Sequence, residues 1–329
     1  MERRLKIGVV GVGSLGYHHA RLLREVPNAL LVGVHDIDER RLGEVGRALD
    51  VATFDRLEAL LERVEAVVIA VPTSAHEEVA LAALERGCHV LIEKPIAPSL
   101  EAADRILEAA ERAGVVVQIG HVERFNGALR ACEPYLDEPL FVESHRLAPF
   151  APRGTDVPVV LDLMIHDLDL VLSLMRRPVT GLAAVGVPVL TSTPDIANAR
   201  LEFLGGGVAN LTASRVSRER MRKIRFFQRS GYVSLDLAAG TGEFLRLRPG
   251  VVLAPGAPLA AESLEDVVER IPLKGDGVEP LRCELESFVR AVLWGEPVAV
   301  SGEDGRRALA VALEIVERIE RHFVHAQPA

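Results

Sequence analysis

The stretch LKIGVVGVGSLG, residues 5–16, decides the fold of the first part of the chain. LKIGVV has the pattern of a buried strand, a glycine-rich turn follows at once, and YHHARLLREV then has helical spacing. GVGSLG fits the pattern G-x-G-x-x-G, which is weak evidence when it stands alone. Here it lies between a strand and a helix, and Asp36 follows twenty residues after Gly16 at the end of a second strand. This combination predicts a dinucleotide site.

The physical roles of this motif follow from its geometry. Its glycines permit a tight turn, a close approach of the main chain to a pyrophosphate, and close packing of helix on strand. The amides at the helix N-terminus face the phosphates. The Asp36 carboxylate accepts hydrogen bonds from ribose hydroxyls and repels a 2′-phosphate, which favours NAD over NADP. The alternative is a glycine turn without a ligand. The predicted cofactor contacts are Gly11, Val12, Gly13, Ser14, Leu15, Gly16, Asp36 and Ile37.

Strands and helices alternate through the rest of the first 121 residues. Helical patterns lie at 38–49, 57–61, 74–87 and 99–114, and they separate strand patterns at 29–35, 51–54, 66–71, 89–93 and 115–120. Such alternation is typical of βαβ units and of a parallel sheet that is covered on both faces. We therefore predict a doubly wound α/β domain over residues 1–121.

The pattern changes after residue 121. Strand-like stretches follow one another from 139 to 249, and several alternate apolar and polar residues, as antiparallel strands with one solvated face do. A helix near 162–175 interrupts them, and two helices near 279–294 and 303–322 close the chain. We predict an α+β domain over residues 122–329, with 303–322 as the helix that packs back on the first domain.

Composition and charge exclude several classes of protein. The net charge of −9 disfavours general nucleic-acid binding. The sequence has no apolar run long enough for a transmembrane helix, and its N-terminus lacks the features of a secretory signal, so we expect no membrane partner. Cys88, Cys132 and Cys283 are widely spaced, as free thiols in a reducing cytosol are, and we expect a cytoplasmic protein. Cys88 and His89 lack a second ligand pair, so we predict no metal.

A second motif, Glu93-Lys94-Pro95, ends the fifth predicted strand, beside Val71-Pro72-Thr73 at the end of the fourth. Ligands of doubly wound sheets bind outside the carboxyl ends of the strands, so we expect Lys94 to reach the nicotinamide. The chain has only four lysines and otherwise uses arginine. Lysine, unlike arginine, donates a proton readily once its pKa is shifted. A surface lysine before a turn is the alternative.

A third motif lies in the apolar run VVLDLMIHDLDL, residues 159–170, which contains Asp162 and, four residues later, His166. On a helix these two side chains share one face. Oxidation of a secondary alcohol needs a base for the hydroxyl proton and a cation beside the developing alkoxide, which suit His166 and Lys94, with Asp162 as the orienting group. One alternative is that Asp162 caps the helix and His166 is a core histidine. Another is a metal bound by Asp162, His166 and Asp167, although the spacing fits no known metal pattern.

Together, in this order, these motifs resemble the Gfo/Idh/MocA oxidoreductase family, and the resemblance covers nearly the whole chain. It rests on GVGSLG, Asp36, VPTSAH (71–76), EKP (93–95) and the D-x-x-x-H of the third motif. The resemblance implies a Rossmann domain followed by a domain with a large open antiparallel sheet, whose exposed face forms dimers and tetramers. It implies the catalytic set Lys94, Asp162 and His166. It also implies further cofactor contacts from Val71, Pro72, Thr73, His76, Glu93 and Lys94.

A narrower resemblance rests on GHVERFNGA (120–128) and on PRGTDVPVVLDLMIHDLD (152–169), which are similar to a subgroup that includes UDP-N-acetylglucosamine 3-dehydrogenases. It implies NAD-dependent oxidation of a hydroxyl on a nucleotide sugar. The alternatives are a dehydrogenase of a free sugar or a polyol such as inositol, and a non-catalytic NAD-binding regulator. Gly127 stands where the subgroup leads us to expect proline, which suggests a more mobile loop. The predicted substrate contacts are Lys94, Arg124, Asn126, Arg153, Asp162 and His166.

One basic run, SRVSRERMRKIR at residues 214–225, stands out in an otherwise acidic chain. It is either a solvated strand edge or oligomer contact, or a set of cations that help Arg124 and Arg153 to hold a diphosphate. We also expect the sheet of residues 139–249 to bury one face in a homodimer or homotetramer, because a bare face would be an exposed apolar patch.

Overall fold

A computed structural model describes residues 3–151, 157–251 and 263–326. The predicted substrate residue Arg153 lies outside the described residues. The chain divides into two compact units. One comprises Met1–Phe125 and Glu279–Val311, and the other comprises Asn126–Val278 and Ala312–Ala329.

Six parallel strands form the sheet of the first unit. They are β1 (Leu5–Val10), β2 (Ala29–His35), β3 (Thr53–Phe54), β4 (Ala66–Ile69), β5 (His89–Glu93) and β6 (Val117–Gly120). Helices α1 (Ser14–Leu23), α2 (Glu39–Leu49), α3 (Leu57–Leu61), α4 (His76–Leu84) and α5 (Leu100–Ala113) connect them. The strand order is β3-β2-β1-β4-β5-β6, so the order reverses beside β1, where doubly wound sheets bind their ligands. The predicted doubly wound fold is confirmed.

The extent of the first unit differs from the predicted 1–121. Helix α9 (Pro280–Trp294) was predicted in the second domain, yet it packs on α1 and β1. The buried stripe of α9 lies in the same apolar core as Leu5, Ile7 and Val9 and consists of Leu281, Leu285, Phe288 and Val289. This stripe has the spacing of one helix face, but sequence spacing does not show which sheet the face covers. The final helix α10 (Gly302–Ala326) contributes its residues up to Val311 to the same unit.

Eight strands form the sheet of the second unit, in the order β14-β13-β12-β11-β7-β10-β9-β8. They are β7 (Phe141–Leu147), β8 (Val179–Val187), β9 (Ile196–Phe203), β10 (Val208–Ser214), β11 (Met221–Gln228), β12 (Gly231–Asp236), β13 (Thr241–Leu247) and β14 (Val268–Lys274). The predicted large antiparallel sheet is confirmed, with one parallel pair, β7 with β10. The sequence analysis missed β14, which is an edge strand that contains Pro272, and proline is confined to such edges.

One face of this sheet is covered and the other is mixed in character. Helix α7 (Ile165–Met175) packs against β7 and β10 on the covered face. On the other face Phe227 pairs directly with Phe141 and with Tyr232, with ring centroids 5.4 and 4.8 Å apart. Most neighbouring positions on that face are polar, so its apolar part is smaller than we expected. The short helices α6 (Gly127–Cys132) and α8 (Leu264–Val267) complete the unit. No helix among the described residues has the length and apolarity needed to cross a bilayer.

Candidate active site

The glycine-rich turn between β1 and α1 requires glycine at two of its positions. Gly11 has a φ of +82°, and a Cβ there would lie 2.8 Å from the Ala70 carbonyl group. A Cβ at Gly16 would lie 1.8 Å from the Gly11 oxygen, so helix and strand approach closely here. Gly13 is different, because a Cβ built on it meets no atom within 4 Å. The turn therefore leaves open space at the N-terminus of α1, where a phosphate would be stabilised.

Asp36 joins the end of β2 to this turn. Its Oδ2 accepts a hydrogen bond of 2.6 Å from the Val12 amide, and its Oδ1 accepts one of 2.9 Å from the Asp38 amide. Each oxygen has a second lone pair for a hydroxyl donor. The next residue, Ile37, is 94% exposed, which is unusual for so large an apolar side chain. Asp36 and Ile37 thus offer a carboxylate and an apolar surface side by side.

Arg41 is a residue of this region that the sequence analysis missed. Its Nε donates to the Val12 oxygen at 2.8 Å, and its Nη2 donates to the Gly13 oxygen at 3.3 Å. Its guanidinium also lies 5.7 Å from the centre of the Tyr17 ring. The guanidinium therefore binds the glycine turn from α2. No motif points to this residue, since its role depends on a meeting of α2 with the turn.

His76 lies between two loops that were predicted to contact cofactor. Its Nδ1 is 2.9 Å from the Pro95 oxygen, and its Nε2 is 3.0 Å from the Val71 oxygen. Burial lowers the pKa of His76, although these carbonyl contacts oppose that shift. A ring that is 1% exposed and directed at two main-chain carbonyls offers no atom to a ligand. The structure therefore supports a positioning role for His76, instead of the predicted contact, while the neighbouring Val71 and Thr73 are half-buried and accessible.

Lys94 follows the buried end of β5. The Glu93 carboxylate accepts the Lys94 amide at 3.2 Å and lies 2.7 Å from the Nε2 of His19 on α1. Glu93 is 7% exposed, so its carboxylate faces the interior. This burial differs from the cofactor contact that we predicted for Glu93. Lys94 itself is half-buried. Lys94 thus follows directly after the carboxyl end of β5, and its catalytic role stays a prediction.

Asp162 and His166 lie where the chain enters α7. A π-helical turn, Val160–Met164, contains Asp162, and His166 lies in the first turn of α7. The turn begins after Val159 without a side-chain cap, so Asp162 is not the helix cap that we considered as an alternative. Both side chains are half-buried. His166 therefore also differs from the core histidine of that alternative. Single π turns inside helices are frequent at functional sites.

The helix that contains His166 is held to the sheet by a buried ion pair. Arg146 of β7 donates from Nε and Nη2 to the two carboxylate oxygens of Asp167, each at 2.8 Å. Arg146 and Asp167 are 4% and 2% exposed. Both oxygens of Asp167, one of the three residues in the metal site that we considered as an alternative, therefore face this guanidinium. The pair was not predicted, since nothing in the sequence shows that these two residues meet.

Two of the predicted substrate residues have structural partners. Arg124 lies 3.7 Å from Asp304 at the start of α10, with 16% of its side chain exposed. Asn126 caps α6 by accepting the Ala128 amide and donates to the Leu237 oxygen, so its amide group holds the fold and does not face solvent. The adjacent Gly127 touches Gly275, and a Cβ on either would come within 2.8 Å of the other main chain. A close approach of two chain segments therefore explains this glycine, instead of loop mobility.

The basic run divides into one buried and several exposed cations. Arg215 is 4% exposed and lies 3.1 Å from the buried Asp195. Burial raises the pKa of Asp195, but hydrogen bonds from the amides of residues 189–191 outweigh this effect and lower it to about 2. Arg215 is therefore structural. The exposed cations are Arg218, Arg220, Arg222, Lys223 and Arg225, and the last of these pairs with Glu143 at 3.2 Å.

Comparison with known proteins agrees with the two-part architecture. Residues 5–121 match the model of an oxidoreductase family with an NAD-binding Rossmann fold, and residues 118–234 match the GFO/IDH/MocA C-terminal domain. UDP-N-acetylglucosamine 3-dehydrogenase of Acidithiobacillus ferrooxidans is 38% identical over 96% of this chain and 97% of its own. Its solved structure superimposes with a TM-score of 0.89 at 37% identity, covering 97% of this chain and 99% of that one.

An inositol enzyme is also similar. Myo-inositol 2-dehydrogenase of Thermotoga maritima is 27% identical over 96% of both chains. Both of these relatives are thus named as dehydrogenases, and the two family models together cover most of the sequence. On this evidence the chain is a member of the Gfo/Idh/MocA family of oxidoreductases.

Proposed function

We propose that this protein oxidises a secondary hydroxyl of a nucleotide sugar, as UDP-N-acetylglucosamine 3-dehydrogenases do, with NAD as the acceptor. The single observation that carries this proposal is the 38% identity to such an enzyme over 96% of the chain. A second candidate is oxidation of a polyol such as inositol, which the similarity to myo-inositol 2-dehydrogenase favours.

Several residues of the first unit fit NAD. The open space at Gly13 would admit a pyrophosphate, and the exposed Ile37 would cover one face of an adenine. The free lone pairs of Asp36 would accept ribose hydroxyls. When bound, NAD supplies the acceptor for a hydride.

The catalytic roles are those predicted from the three motifs. We assign His166 as the base that takes the proton of the substrate hydroxyl, because imidazole titrates near neutral pH. The Lys94 ammonium stabilises the negative charge that develops on the hydroxyl oxygen. Asp162 orients the substrate or His166. The proposal attributes no reacting role to Asn126 or Arg215, whose polar groups have structural partners.

A substrate panel tests the proposal. The absorbance of NADH measures turnover. We expect turnover to be far more efficient with UDP-N-acetylglucosamine than with N-acetylglucosamine or myo-inositol. The reason is that only the UDP-sugar has a diphosphate, which arginine side chains bind through strong charge-assisted bonds. Equal or better efficiency with the free sugar or the inositol would reject the nucleotide sugar and favour the polyol. No turnover with any compound, while NAD still binds, would support the non-catalytic regulator.

Cofactor preference provides a second test. NAD should bind more tightly than NADP, because the carboxylate of Asp36 repels a 2′-phosphate. Asp36→Ala should weaken NAD binding by about 10-fold to 100-fold, the usual cost of losing a hydrogen bond to a charged group. It should also narrow the preference for NAD over NADP. Asp55→Ala, which removes an exposed carboxylate after β3, is the matched control. Equal affinity of the unmodified protein for both cofactors would contradict the assignment.

We also propose that the outer face of the eight-stranded sheet forms a homo-oligomer. Phe141, Phe227 and Tyr232 form its apolar centre, and aromatic residues are enriched at such interfaces. Light scattering should show a dimer or tetramer at micromolar concentration, and Phe227→Glu should shift it towards monomer. Trp294→Glu, which changes an exposed aromatic residue of the first unit, should not. A monomeric unmodified protein would refute this proposal.

A further inference from the structure

Three ionisable side chains meet in the interior of the first unit, and one of them precedes Lys94 in the chain. They are His19 of α1, Glu93 at the end of β5 and Glu284 of α9, which are 0%, 7% and 0% exposed. One ligand atom of each lies within 4.8 Å of one atom of each of the other two. We call these three residues the buried cluster. Neither its histidine nor its second carboxyl group has a role in the mechanism proposed above.

The charge of the buried cluster is decided by its two carboxyl groups. Two carboxylates this close in a dry interior do not both ionise. Burial and, after it, the charge of Glu93 raise the pKa of Glu284 well above its ordinary value. Within the described part of the chain, neither carboxyl oxygen of Glu284 has a hydrogen-bond partner, so a negative charge on this group would be uncompensated. Glu93 is then the single anion of the cluster, and both of its oxygens have N–H partners.

The distances favour hydrogen bonds over a metal ion. His19 Nε2 and Glu93 Oε1 are 2.7 Å apart, whereas two ligands of a tetrahedral zinc ion, each about 2.1 Å from the metal, lie about 3.4 Å apart. A metal-binding histidine also usually donates its other ring nitrogen to an acceptor. The Nδ1 of His19 has no such acceptor among the residues that the structure describes.

The ionised Glu93 is the link to Lys94. Its Oε1 receives the N–H of His19, and its Oε2 receives the main-chain N–H of Lys94. On the remaining side its carboxyl group packs against Gly120, where a Cβ would come within 3.0 Å of it. The carboxylate is thus held by two hydrogen bonds and packs against the main chain of β6. The main chain at Lys94 is placed by that carboxylate.

We propose that His19 and Glu284 are positioning residues for Lys94: His19 fixes the Glu93 carboxylate by a hydrogen bond, Glu284 leaves it the only anion of the buried cluster, and the carboxylate fixes the Lys94 main chain. The inference deepens the proposed function, on which it rests for the catalytic role of Lys94. The titratable groups around Glu93 are His19 of α1, His76 of α4, Glu284 of α9 and Lys94 itself.

The first test measures Lys94 without any substrate. The chain has three other lysines, Lys6, Lys223 and Lys274, and all are exposed, so they serve as internal references. Acetylation by a small amine-reactive ester, followed by mass spectrometry of the peptides, gives the rate at each lysine. His19→Leu should change the relative rate at Lys94 severalfold, and His19→Gln, which keeps a donor near the position of Nε2, should restore it. An unchanged rate in His19→Leu would overturn the proposal.

The second test separates positioning from folding. His19→Leu should lower kcat by up to about 10²-fold, the cost of misplacing a reacting group by about 1 Å, with little change in KM for NAD. Glu284→Gln, which keeps shape and neutrality, should retain kcat and should melt at a higher temperature than the unmodified protein. This difference in Tm should grow between about pH 5 and 8, because an acid with a raised pKa weakens the fold as pH rises.

Three results would count against the buried cluster as described. They are loss of activity in Glu284→Gln equal to that in His19→Leu, a Tm difference independent of pH, and one equivalent of tightly bound metal in the unmodified protein. If His19→Leu fails to fold, His19→Gln and Glu284→Gln still decide the matter by labelling and melting. If the unmodified protein oxidises no sugar, the proposed function fails, while the rate of Lys94 acetylation still tests the positioning.

Discussion

Replacement of Lys94 or His166 by alanine should lower the rate of NADH formation by about 10²-fold to 10⁴-fold, the usual contribution of a general acid or base. The reason is that His166→Ala removes the proposed acceptor of the hydroxyl proton, and Lys94→Ala removes the cation beside the developing alkoxide. Both variants should remain folded, because the two side chains are half-buried and neither belongs to an apolar core. Steady-state kinetics with the best substrate of the panel measures the loss.

The controls distinguish chemistry from binding. NADH fluorescence titration should give nearly unchanged affinities in both variants. Lys94→Arg keeps the positive charge but does not give up a proton near neutral pH. The activity of this variant therefore shows whether a positive charge alone is sufficient for catalysis. Lys274→Ala, at an exposed position of β14, should be fully active. Normal turnover by either alanine variant would show that the role assigned to that residue is wrong.

Loss of the buried pair between Arg146 and Asp167 should cause the largest fall in stability. Arg146→Met leaves the Asp167 carboxylate without the two hydrogen bonds that it accepts at 2.8 Å, inside a site where both residues are under 5% exposed. Removal of one partner of such a pair typically costs about 3–5 kcal/mol. Urea denaturation, with a check that the dependence on urea is unchanged, measures the free energy of unfolding.

The neighbouring strand provides the matched control. Arg225 of β11 pairs with Glu143 of β7 at 3.2 Å, but these side chains are 45% and 30% exposed, and exposed pairs contribute less than about 1 kcal/mol. Arg225→Ala should therefore change stability little. The double variant Arg146→Met with Asp167→Leu should recover part of the loss, because it removes both charges of this pair together. Equal effects of Arg146→Met and Arg225→Ala would contradict this account.

The sequence predicted the parts of the fold that depend on local geometry. The glycine turn could be predicted because its residues are adjacent, and the structure shows positions 11 and 16 to be sterically restricted. Alternation of strands and helices gave the parallel sheet for the same reason. The assignment of α9 failed because an apolar stripe does not specify its partner, and β14 was missed because its charged residues and Pro272 hide a strand pattern.

The site was predicted less completely, since a motif gives the place of a residue but not the direction of its side chain. His76, Asn126 and Arg215 lie in or beside motifs, yet each faces the interior and has structural partners there. The contacts that were missed join residues far apart in the chain. Examples are Arg146 with Asp167 and Glu93 with Glu284, which meet only after the elements have packed.

The return of the chain to its first sheet affects how the protein is made. Phe288 leaves the ribosome 283 residues after Leu5 (288 − 5), although the two lie in one core. At usual rates of translation, about 5–20 residues per second, the delay is between about 14 and 57 s. During that time the nascent first sheet exposes the apolar surface that α9 later covers, which is the kind of surface that chaperones bind. Synthesis of this protein should therefore depend on protection of its N-terminal half until almost the whole chain has been translated.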